Sequence, residues 1–269
     1  MSAFMTGFLG TGNMGGAIIN GILSTNVLDP SCITVYDAKP DAAEAFFKRG
    51  CCMARNEATL AQLCDIIFLC IKPQGFSELL RKLSDVDLSD KLIVTIAAGV
   101  NTATIKKALG ANVTVIRVMP NAPLMVSHGA SAIYIPDNVD EERRNFVIDV
   151  FEKLGVVSLI DETQMDEIVC VNGSSPAYVY YFVDAMVNSA VSQGIDRDEA
   201  FKLICAVFEG SIKMLKNTDK TPRELIDMVC SPGGTTIESI KCFDENNVYK
   251  IIDDAMKACT RRSYELGGK

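Results

Sequence analysis

Short apolar runs alternate with amphipathic segments through the first 160 residues. Continuous apolar runs predict strands that are covered on both faces of a sheet. They occupy residues 3–9, 33–36, 66–71, 92–97, 113–118 and 130–135. Residues 41–49 instead have helical periodicity. Pro40 just before them and Gly50 just after them are typical of the start and the end of a helix. This alternation predicts an α/β fold with a parallel, doubly wound sheet.

The pattern changes after residue 160, and from there to residue 266 only helical segments are predicted. Asp196 and the Thr221-Pro222 pair have the chemistry of helix starts. We therefore predict two domains, one over residues 1–160 and an all-helical one over residues 161–269.

One helix of the second domain, at residues 178–191, is apolar nearly all round. Such a helix should be buried, either within its own domain or against another subunit. We favour the subunit interface, because small helical domains that follow an α/β unit of this kind often dimerise.

A glycine-rich turn at residues 8–17 (FLGTGNMGGA) lies between the first predicted strand and the first helix. Gly10, Gly12 and Gly15 fit the G-x-G-x-x-G pattern of dinucleotide-binding turns. The first glycine allows the tight turn, the second lets a pyrophosphate approach, and the third lets helix and strand pack closely. The unpaired N–H groups of the helix would face the phosphates. The predicted cofactor contacts of this Rossmann-type domain are Gly10, Thr11, Gly12, Asn13, Met14 and Gly15.

Asp37 ends the second predicted strand, 22 residues past Gly15. An acidic side chain at this distance accepts hydrogen bonds from an adenosine ribose. Its charge would repel the 2′-phosphate of NADP and so favours NADH, although Lys39 would partly offset it if the loop turned inward. Asp37 is equally interpretable as a turn residue that caps the strand, so both NADH and NADPH stay open as the cofactor.

Composition narrows the class of protein. The net charge of −8 and the pI near 4.8 argue against nucleic acid or an anionic membrane as a partner. The chain shows no signal-peptide pattern and no apolar run long enough to span a bilayer. Ten scattered cysteines without a C-x-x-C pair predict reduced thiols in a cytoplasmic protein. With His128 as the single histidine, we predict no metal site.

Four further stretches carry turn chemistry, three of them directly after predicted strands, where ligands bind in open α/β sheets. They are residues 70–74 (CIKPQ), 97–100 (AAGV), 118–123 (VMPNAP) and, in the helical half, 229–236 (VCSPGGTT). Each alone is equally consistent with a plain loop. Together with the glycine turn they resemble the pyrroline-5-carboxylate reductase family over essentially the whole chain. The strongest element is SPGGTTI at residues 231–237, supported by MPN at 119–121 and GSSPAY at 173–178.

The resemblance implies a reaction and an assembly. Members of this family transfer hydride from NAD(P)H to C5 of Δ1-pyrroline-5-carboxylate and give L-proline, the last step of proline biosynthesis. Their first domain holds the cofactor, and their helical domain forms an intertwined homodimer that often assembles further. The SPGGTT turn comes from the partner subunit and completes the site.

Site residues carry over from the family by motif. Ser231, Gly234 and Thr235 would bind the substrate carboxylate, and Thr236, the catalytic candidate, would hydrogen-bond the ring nitrogen. The further residues implied along the cofactor are Asn56, near the adenosine ribose, and Lys72, Pro73, Ala97, Ala98 and Asn121.

Three motifs depart from the usual family pattern. Ser175 replaces the second glycine of Gly-Ser-Gly-Pro-Ala-Tyr, Ala122 replaces the threonine of Met-Pro-Asn-Thr-Pro, and Glu238-Ser239 follows the SPGGTT turn where a small residue and glycine are common. None of these changes removes a group that the chemistry requires.

Three other functions are compatible with parts of this pattern. A β-hydroxyacid dehydrogenase has the same layout but needs a catalytic lysine in the helical domain, and no lysine follows residues 173–178 before Lys202. A reductase of a related cyclic imine carboxylate would use the same carboxylate site. A non-catalytic NAD(P)-sensing protein would not need the intact turn at residues 231–236.

Overall fold

The computed structural model describes residues 4–267, and the chain divides into two compact units. The first unit is Met1–Ser174 with Cys259–Lys269, and the second is Ser175–Ala258. The sequence places its domain boundary at residue 160 instead. The two divisions differ because Met165, after that boundary, packs with Met119 and Ala132 of the sheet.

A single sheet of eight strands forms the centre of the first unit. Its strand order is β3-β2-β1-β4-β5-β6-β7-β8, and every neighbouring pair is parallel except β6 and β7. The doubly wound α/β class predicted from the sequence is confirmed. The strands are β1 (Thr6–Leu9), β2 (Ile33–Tyr36), β3 (Cys52–Met53), β4 (Ile66–Leu69), β5 (Leu92–Thr95), β6 (Thr114–Met119), β7 (Gly129–Tyr134) and β8 (Gly155–Leu159).

Helices cover both faces of this sheet, which explains why β1, β4 and β5 are buried at every position. On one face Phe8 of β1 stacks on Phe68 of β4 with ring centroids 4.6 Å apart. On the other face Leu9 and Leu69 pack with the helices α3 and α4. The helices of this unit are α1 (Asn13–Thr25), α2 (Pro40–Phe47), α3 (Glu57–Leu63), α4 (Phe76–Leu83), α5 (Thr102–Leu109) and α6 (Glu141–Glu152).

The antiparallel pair β6 and β7 is the exception to the parallel pattern. Only residues 120–128 join these strands, and they contain one short 3₁₀ helix, Ala122–Val126. Parallel neighbours need a crossover of a dozen or more residues, so this connection returns the chain antiparallel. It brings the end of β6 and the start of β7 together beside Asn121.

The second unit is helical throughout, and no strand occurs between residues 161 and 266, as predicted. Its helices are α7 (Ser175–Ser192), α8 (Arg197–Lys216), α9 (Pro222–Val229), α10 (Thr235–Glu245) and α11 (Val248–Leu266), the last of which ends in the first unit. Asp196 and Thr221 cap α8 and α9 at the predicted starts.

Helix α7 exposes most of its apolar surface in the single chain. Tyr181 is 74% exposed, and Tyr180 and Phe182 are exposed beside it, whereas Val187 is buried. Burial inside the unit therefore does not account for the all-round apolar character of α7. The subunit interface predicted for this helix stays a prediction.

Within residues 4–267, no helix is both long and apolar enough to cross a membrane. All ten cysteines are free thiols. Burial raises the pKa of the Cys64 thiol to about 11, and it also raises the pKa of the partly buried Cys70 thiol.

Candidate active site

The glycine turn joins β1 to α1, and two of its glycines are required by close backbone contacts. Gly10 has φ +101°, and a Cβ atom there would lie 2.7 Å from the carbonyl oxygen of Cys70. A Cβ atom at Gly15 would lie 2.2 Å from the carbonyl oxygen of Gly10. A side chain at either position would therefore push the turn away from the sheet edge.

Gly12 differs, because a Cβ atom there would meet no atom within 4 Å. It is the N-cap residue of α1, whose N-terminus has no side-chain cap and no acidic residue in its first turn. The helix therefore presents unpaired N–H groups and its positive dipole end towards open space. This arrangement fits a pyrophosphate, the group that the sequence predicts here.

Asp37 is tied to the glycine turn. Its Oδ2 atom accepts hydrogen bonds from the Thr11 backbone N–H at 2.7 Å and from the Thr11 hydroxyl at 3.1 Å. Its Oδ1 atom accepts from the backbone N–H of Lys39 at 2.9 Å. The carboxylate thus fixes the end of β2 against the turn, and a carboxylate has about four acceptor sites, so one is left for a ribose hydroxyl.

An acidic cavity of about 230 Å³ lies beside Asp37, at the carboxyl ends of β1 and β2. Asp37, Glu57 and Glu78 line it together with Lys82, which pairs with Glu57 at 2.9 Å and with Glu78 at 3.1 Å. Burial and the nearby Glu57 raise the pKa of the Tyr36 phenol in its wall. Sequence reasoning missed Glu57, Glu78 and Lys82, because no motif or spacing distinguishes them from ordinary helix-surface charges.

Asn56, Lys72 and Pro73 follow β3 and β4 at the same edge of the sheet. Asn56 is the N-cap of α3, and its Oδ1 atom accepts a hydrogen bond from the Thr59 backbone N–H at 2.8 Å. Lys72 is exposed and precedes the 3₁₀ helix Pro73–Gly75. The structure therefore gives Asn56 a capping bond in addition to its predicted contact with the ribose.

Ala97, Ala98 and Asn121 follow β5 and β6. The Ala97 N–H donates to the Thr95 hydroxyl at 3.3 Å. The buried Asn121 side chain accepts from the Ala130 N–H at 2.9 Å and donates to the Asn172 carbonyl at 3.2 Å.

Asn172 completes this arrangement, since its side-chain amide donates to the carbonyls of Met119 at 2.6 Å and Ala130 at 3.0 Å. It lies in the π-helical turn Val169–Gly173. Turns of this type occur frequently at functional sites. Sequence patterns do not reveal the contacts of Asn172, because its partners lie 53 and 42 residues away in the chain.

The predicted substrate turn, residues 231–236, lies in the second unit. Gly233 has φ +71°, and the Gly234 N–H donates to the Ser231 carbonyl at 3.0 Å, which closes the turn. Gly234 is the N-cap of α10, which begins at Thr235 and has no side-chain cap. Thr236 lines an apolar cavity of about 380 Å³.

The candidate residues thus fall into two sets. Every residue predicted along the cofactor lies in the first unit, and every residue predicted to bind the substrate lies in the second. Among residues 4–267, no group of histidine, cysteine, aspartate and glutamate side chains has the arrangement of a metal site.

Comparison with known families matches both parts of the chain. A family model described as pyrroline-5-carboxylate reductase dimerisation matches residues 162–266. A second model, described as NADP oxidoreductase coenzyme F420-dependent, matches residues 5–99.

Individual proteins match nearly the whole chain. Pyrroline-5-carboxylate reductase of Escherichia coli (strain K12) is 37% identical over 261 residues, which is 97% of both chains. The enzyme of the same name from Methanosarcina acetivorans is 34% identical over 98% of both chains. The crystal structure of Plasmodium falciparum pyrroline carboxylate reductase with NADP bound is similar with a TM-score of 0.90 and 28% identity, and the match covers 99% of each chain.

Proposed function

Because this chain belongs to the pyrroline-5-carboxylate reductase family, we propose that its turn at residues 231–236 binds the substrate and its turn at residues 10–15 binds the cofactor. The chain is an oxidoreductase of proline biosynthesis that transfers hydride from NAD(P)H to C5 of Δ1-pyrroline-5-carboxylate, giving L-proline.

The geometry of the turn at residues 231–236 is the observation that supports its role most strongly. It delivers the chain into the uncapped N-terminus of α10, where backbone N–H groups and the helix dipole favour a carboxylate. Ser231 and Thr235 add hydroxyl donors at the same turn, and Gly234 carries no side chain that would cover the N–H groups. These three residues bind the carboxylate of the imine substrate.

Thr236 is the residue that contacts the reacting group. Its hydroxyl can donate and accept, so it can orient the ring nitrogen both before and after reduction. Protonation of the imine nitrogen makes C5 more electrophilic, and the proton comes from solvent or is already present on the bound iminium. The chain's residues therefore act by proximity and orientation and need no strong acid or base.

The residues of the first unit hold the cofactor. The open space at Gly12 and the uncapped start of α1 receive the pyrophosphate. Asp37 and Asn56 lie towards the adenosine, while Lys72, Pro73, Ala97, Ala98 and Asn121 lie along the remainder. The hydride chemistry itself belongs to the cofactor.

The charges around Asp37 support NADH as the preferred cofactor. The cavity at the ends of β1 and β2 is lined by the carboxylates of Asp37, Glu57 and Glu78. Lys82, which also lines it, is already paired with both glutamates. A 2′-phosphate placed in this cavity would meet net negative charge. The Lys39 side chain does not line the cavity, although its backbone bonds Asp37.

We further propose a cytoplasmic homodimer that can assemble into a larger homo-oligomer. The exposed apolar side chains of α7 support the dimer, and the ten free thiols support a reducing compartment.

Replacing Thr236 with alanine tests the substrate assignment. Thr236→Ala should lower kcat by about tenfold or more, since one orienting hydrogen bond is lost, while the Kd for NAD(P)H stays within about twofold. Steady-state kinetics with pyrroline-5-carboxylate and a fluorescence titration with cofactor measure the two effects. Ser239→Ala, one turn along α10 and exposed, is the matched control. Equal losses of turnover and cofactor affinity would contradict the role of Thr236.

The preference for NADH is tested by neutralising Asp37. Asp37→Asn keeps the shape and an oxygen for Thr11 but removes the charge, so the ratio of kcat/KM for NADPH over NADH should rise by about tenfold, or 1.4 kcal/mol. Separate assays with NADH and NADPH measure this ratio in wild type and variant. Asp85→Asn, exposed in the same unit, should leave it unchanged. A wild type that prefers NADPH would show that Lys39 or another cation outweighs the acidic cavity.

A further inference from the structure

Arg117 is buried in the first unit although it belongs to neither predicted set of site residues. Its side chain is 2% exposed and lies on β6, two residues before Met119. It pairs with Glu162 at 3.4 Å and with Asp166 at 3.6 Å. Its Nε and Nη2 atoms make no hydrogen bond within residues 4–267. Burying a guanidinium with two nitrogens that make no hydrogen bond costs free energy. A contribution to stability alone is therefore a poor explanation for the ion pairs of Arg117 with Glu162 and Asp166.

Glu162 connects this arginine to the segment that follows β5. Its Oε1 atom accepts from the Thr102 backbone N–H at 2.8 Å, and its Oε2 atom accepts from the Thr102 hydroxyl at 2.8 Å. Thr102 is the first residue of α5, where a carboxylate also complements the helix dipole. Glu162 therefore fixes the point at which residues 97–101 enter α5, and Arg117 fixes Glu162.

Asp166 connects the same arginine to the end of α11. Its Oδ1 atom accepts a hydrogen bond from the Ser263 hydroxyl at 3.3 Å, and both side chains are buried. Tyr264, next along α11, donates to Glu167. These two hydrogen bonds join the last turns of α11 to residues 166–167, and Arg117 holds Asp166 through their ion pair.

The end of α11 in turn lies against Gly99. A Cβ atom on Gly99 would lie 2.8 Å from the Leu266 Cβ and 3.1 Å from the Gly267 nitrogen, and Gly99 has φ +73°. Residues 97–99 are thus held from two directions, by Glu162 through Thr102 and by the last turn of α11. Arg117 connects these two sets of contacts, because its guanidinium pairs with both Glu162 and Asp166.

We propose that Arg117, Glu162 and residues 263–267 are positioning residues for the cofactor, because they hold residues 97–99 in the conformation that receives it. The inference rests on the proposed contact of Ala97 and Ala98 with NAD(P)H. It assigns a role in cofactor affinity to the ion pair of Arg117 with Glu162 and to the end of α11.

A positioning role and a purely structural role predict different measurements. Loosening residues 97–99 should weaken cofactor binding while kcat at saturating cofactor changes little, because the chemical groups are all still present. A purely structural role would lower the melting temperature and leave the cofactor Kd of the folded protein unchanged.

The test uses the full chain with Glu162→Gln and Thr102→Val. Glu162→Gln removes the charge and leaves one oxygen for three donors, which are the Thr102 N–H, the Thr102 hydroxyl and Arg117 Nη1. Thr102→Val removes only the hydroxyl bond and remains informative if the first variant fails to fold. Glu152→Gln, exposed at the end of α6, is the matched control. The Kd for NADH and NADPH, the steady-state KM and kcat, and the melting temperature are measured for each.

We expect Glu162→Gln to raise the Kd of the better cofactor about tenfold, and Thr102→Val about threefold, with kcat changed less than about threefold. Unchanged Kd values in folded variants would overturn the inference, as would a wild type that binds neither dinucleotide. A wild type that binds dinucleotide but does not reduce pyrroline-5-carboxylate, with binding weakened in the variants, would overturn the proposed function and support the inference.

Discussion

The glycines at residues 10–15 differ in the atoms that an added side chain would contact. This difference distinguishes the glycine that the fold requires from the one that leaves room for a ligand. At Gly15 an added Cβ would press on the Gly10 carbonyl at 2.2 Å, whereas at Gly12 it would meet no protein atom within 4 Å. Gly12 also has φ −65°, which alanine adopts without strain. Gly15 therefore serves the packing of α1, and Gly12 leaves room for a ligand.

Alanine at each glycine should separate these roles. Gly12→Ala should keep the melting temperature of the wild type but raise the Kd for NAD(P)H by about tenfold or more, because the methyl group occupies the space of the pyrophosphate. Gly15→Ala should destabilise the protein by about 3 kcal/mol through overpacking. Thermal unfolding and cofactor titration of both variants measure this. A Gly12→Ala variant with wild-type affinity would show that the pyrophosphate lies elsewhere.

The residue types that the sequence identifies best are those whose chemistry is local. The three glycines, Asp37 and the turn at residues 231–236 are visible as patterns because their neighbours in sequence determine their geometry. Arg117 and Asn172 were not identified, since their partners lie far away in the chain. Asp37 was recognised by position, but its bonds to Thr11 appear only in the structure.

At the scale of elements, caps determine where the helices of the second unit begin. Asp196 precedes α8, and its Oδ1 atom accepts from the backbone N–H groups of Asp198 at 3.0 Å and Glu199 at 3.1 Å. These bonds satisfy two of the four donors that the helix itself leaves unpaired.

Removing this cap should destabilise the protein measurably. Asp196→Ala should lower the free energy of unfolding by about 1 kcal/mol, whereas Asp196→Asn, an equally good cap, should change it little. Urea unfolding of the three proteins followed by circular dichroism measures the difference. Equal stability of the alanine and asparagine variants would show that α8 is held by packing alone.

Strands were predictable where burial is complete and not where it is partial. The six apolar runs all correspond to strands, because both faces of the sheet are covered there. The strands β3 and β8 were missed, since β3 has only two residues, both exposed, and β8 is largely exposed. Edge strands of this kind leave no periodic signal.

At the scale of the whole molecule, the exposed apolar face of α7 is the main feature that a single chain leaves unexplained. Tyr180, Tyr181 and Phe182 follow one another on its surface. Aromatic side chains in such numbers are typical of the buried centre of an interface. The fold class and the family predicted from the sequence are confirmed, whereas the dimer stays a prediction.

A charge on this face should disrupt the dimer. Tyr181→Glu should shift the protein to monomer at micromolar concentration, because burying an unpaired carboxylate costs several kcal/mol, roughly 3 or more. It should also abolish turnover while NAD(P)H binding is kept, since the substrate turn is expected from the partner. Light scattering measures the mass of the protein, and steady-state kinetics measures its turnover. Phe47→Glu, at an exposed aromatic residue of the first unit, is the control. A fully active variant of dimeric mass would contradict the interface.

The path of the chain between the two units affects how the protein is made. The chain leaves the first unit at Ser174 and returns at Cys259, and the side-chain oxygen and sulfur of these residues lie 3.2 Å apart. The second unit is therefore an insertion, and residues 259–267 supply the last contacts of the first. During vectorial synthesis on a ribosome, the cofactor-binding half emerges early but keeps Gly99 and Asp166 uncovered until the whole insertion has been translated. With the positioning role proposed above for residues 263–267, cofactor binding would follow translation of the second unit.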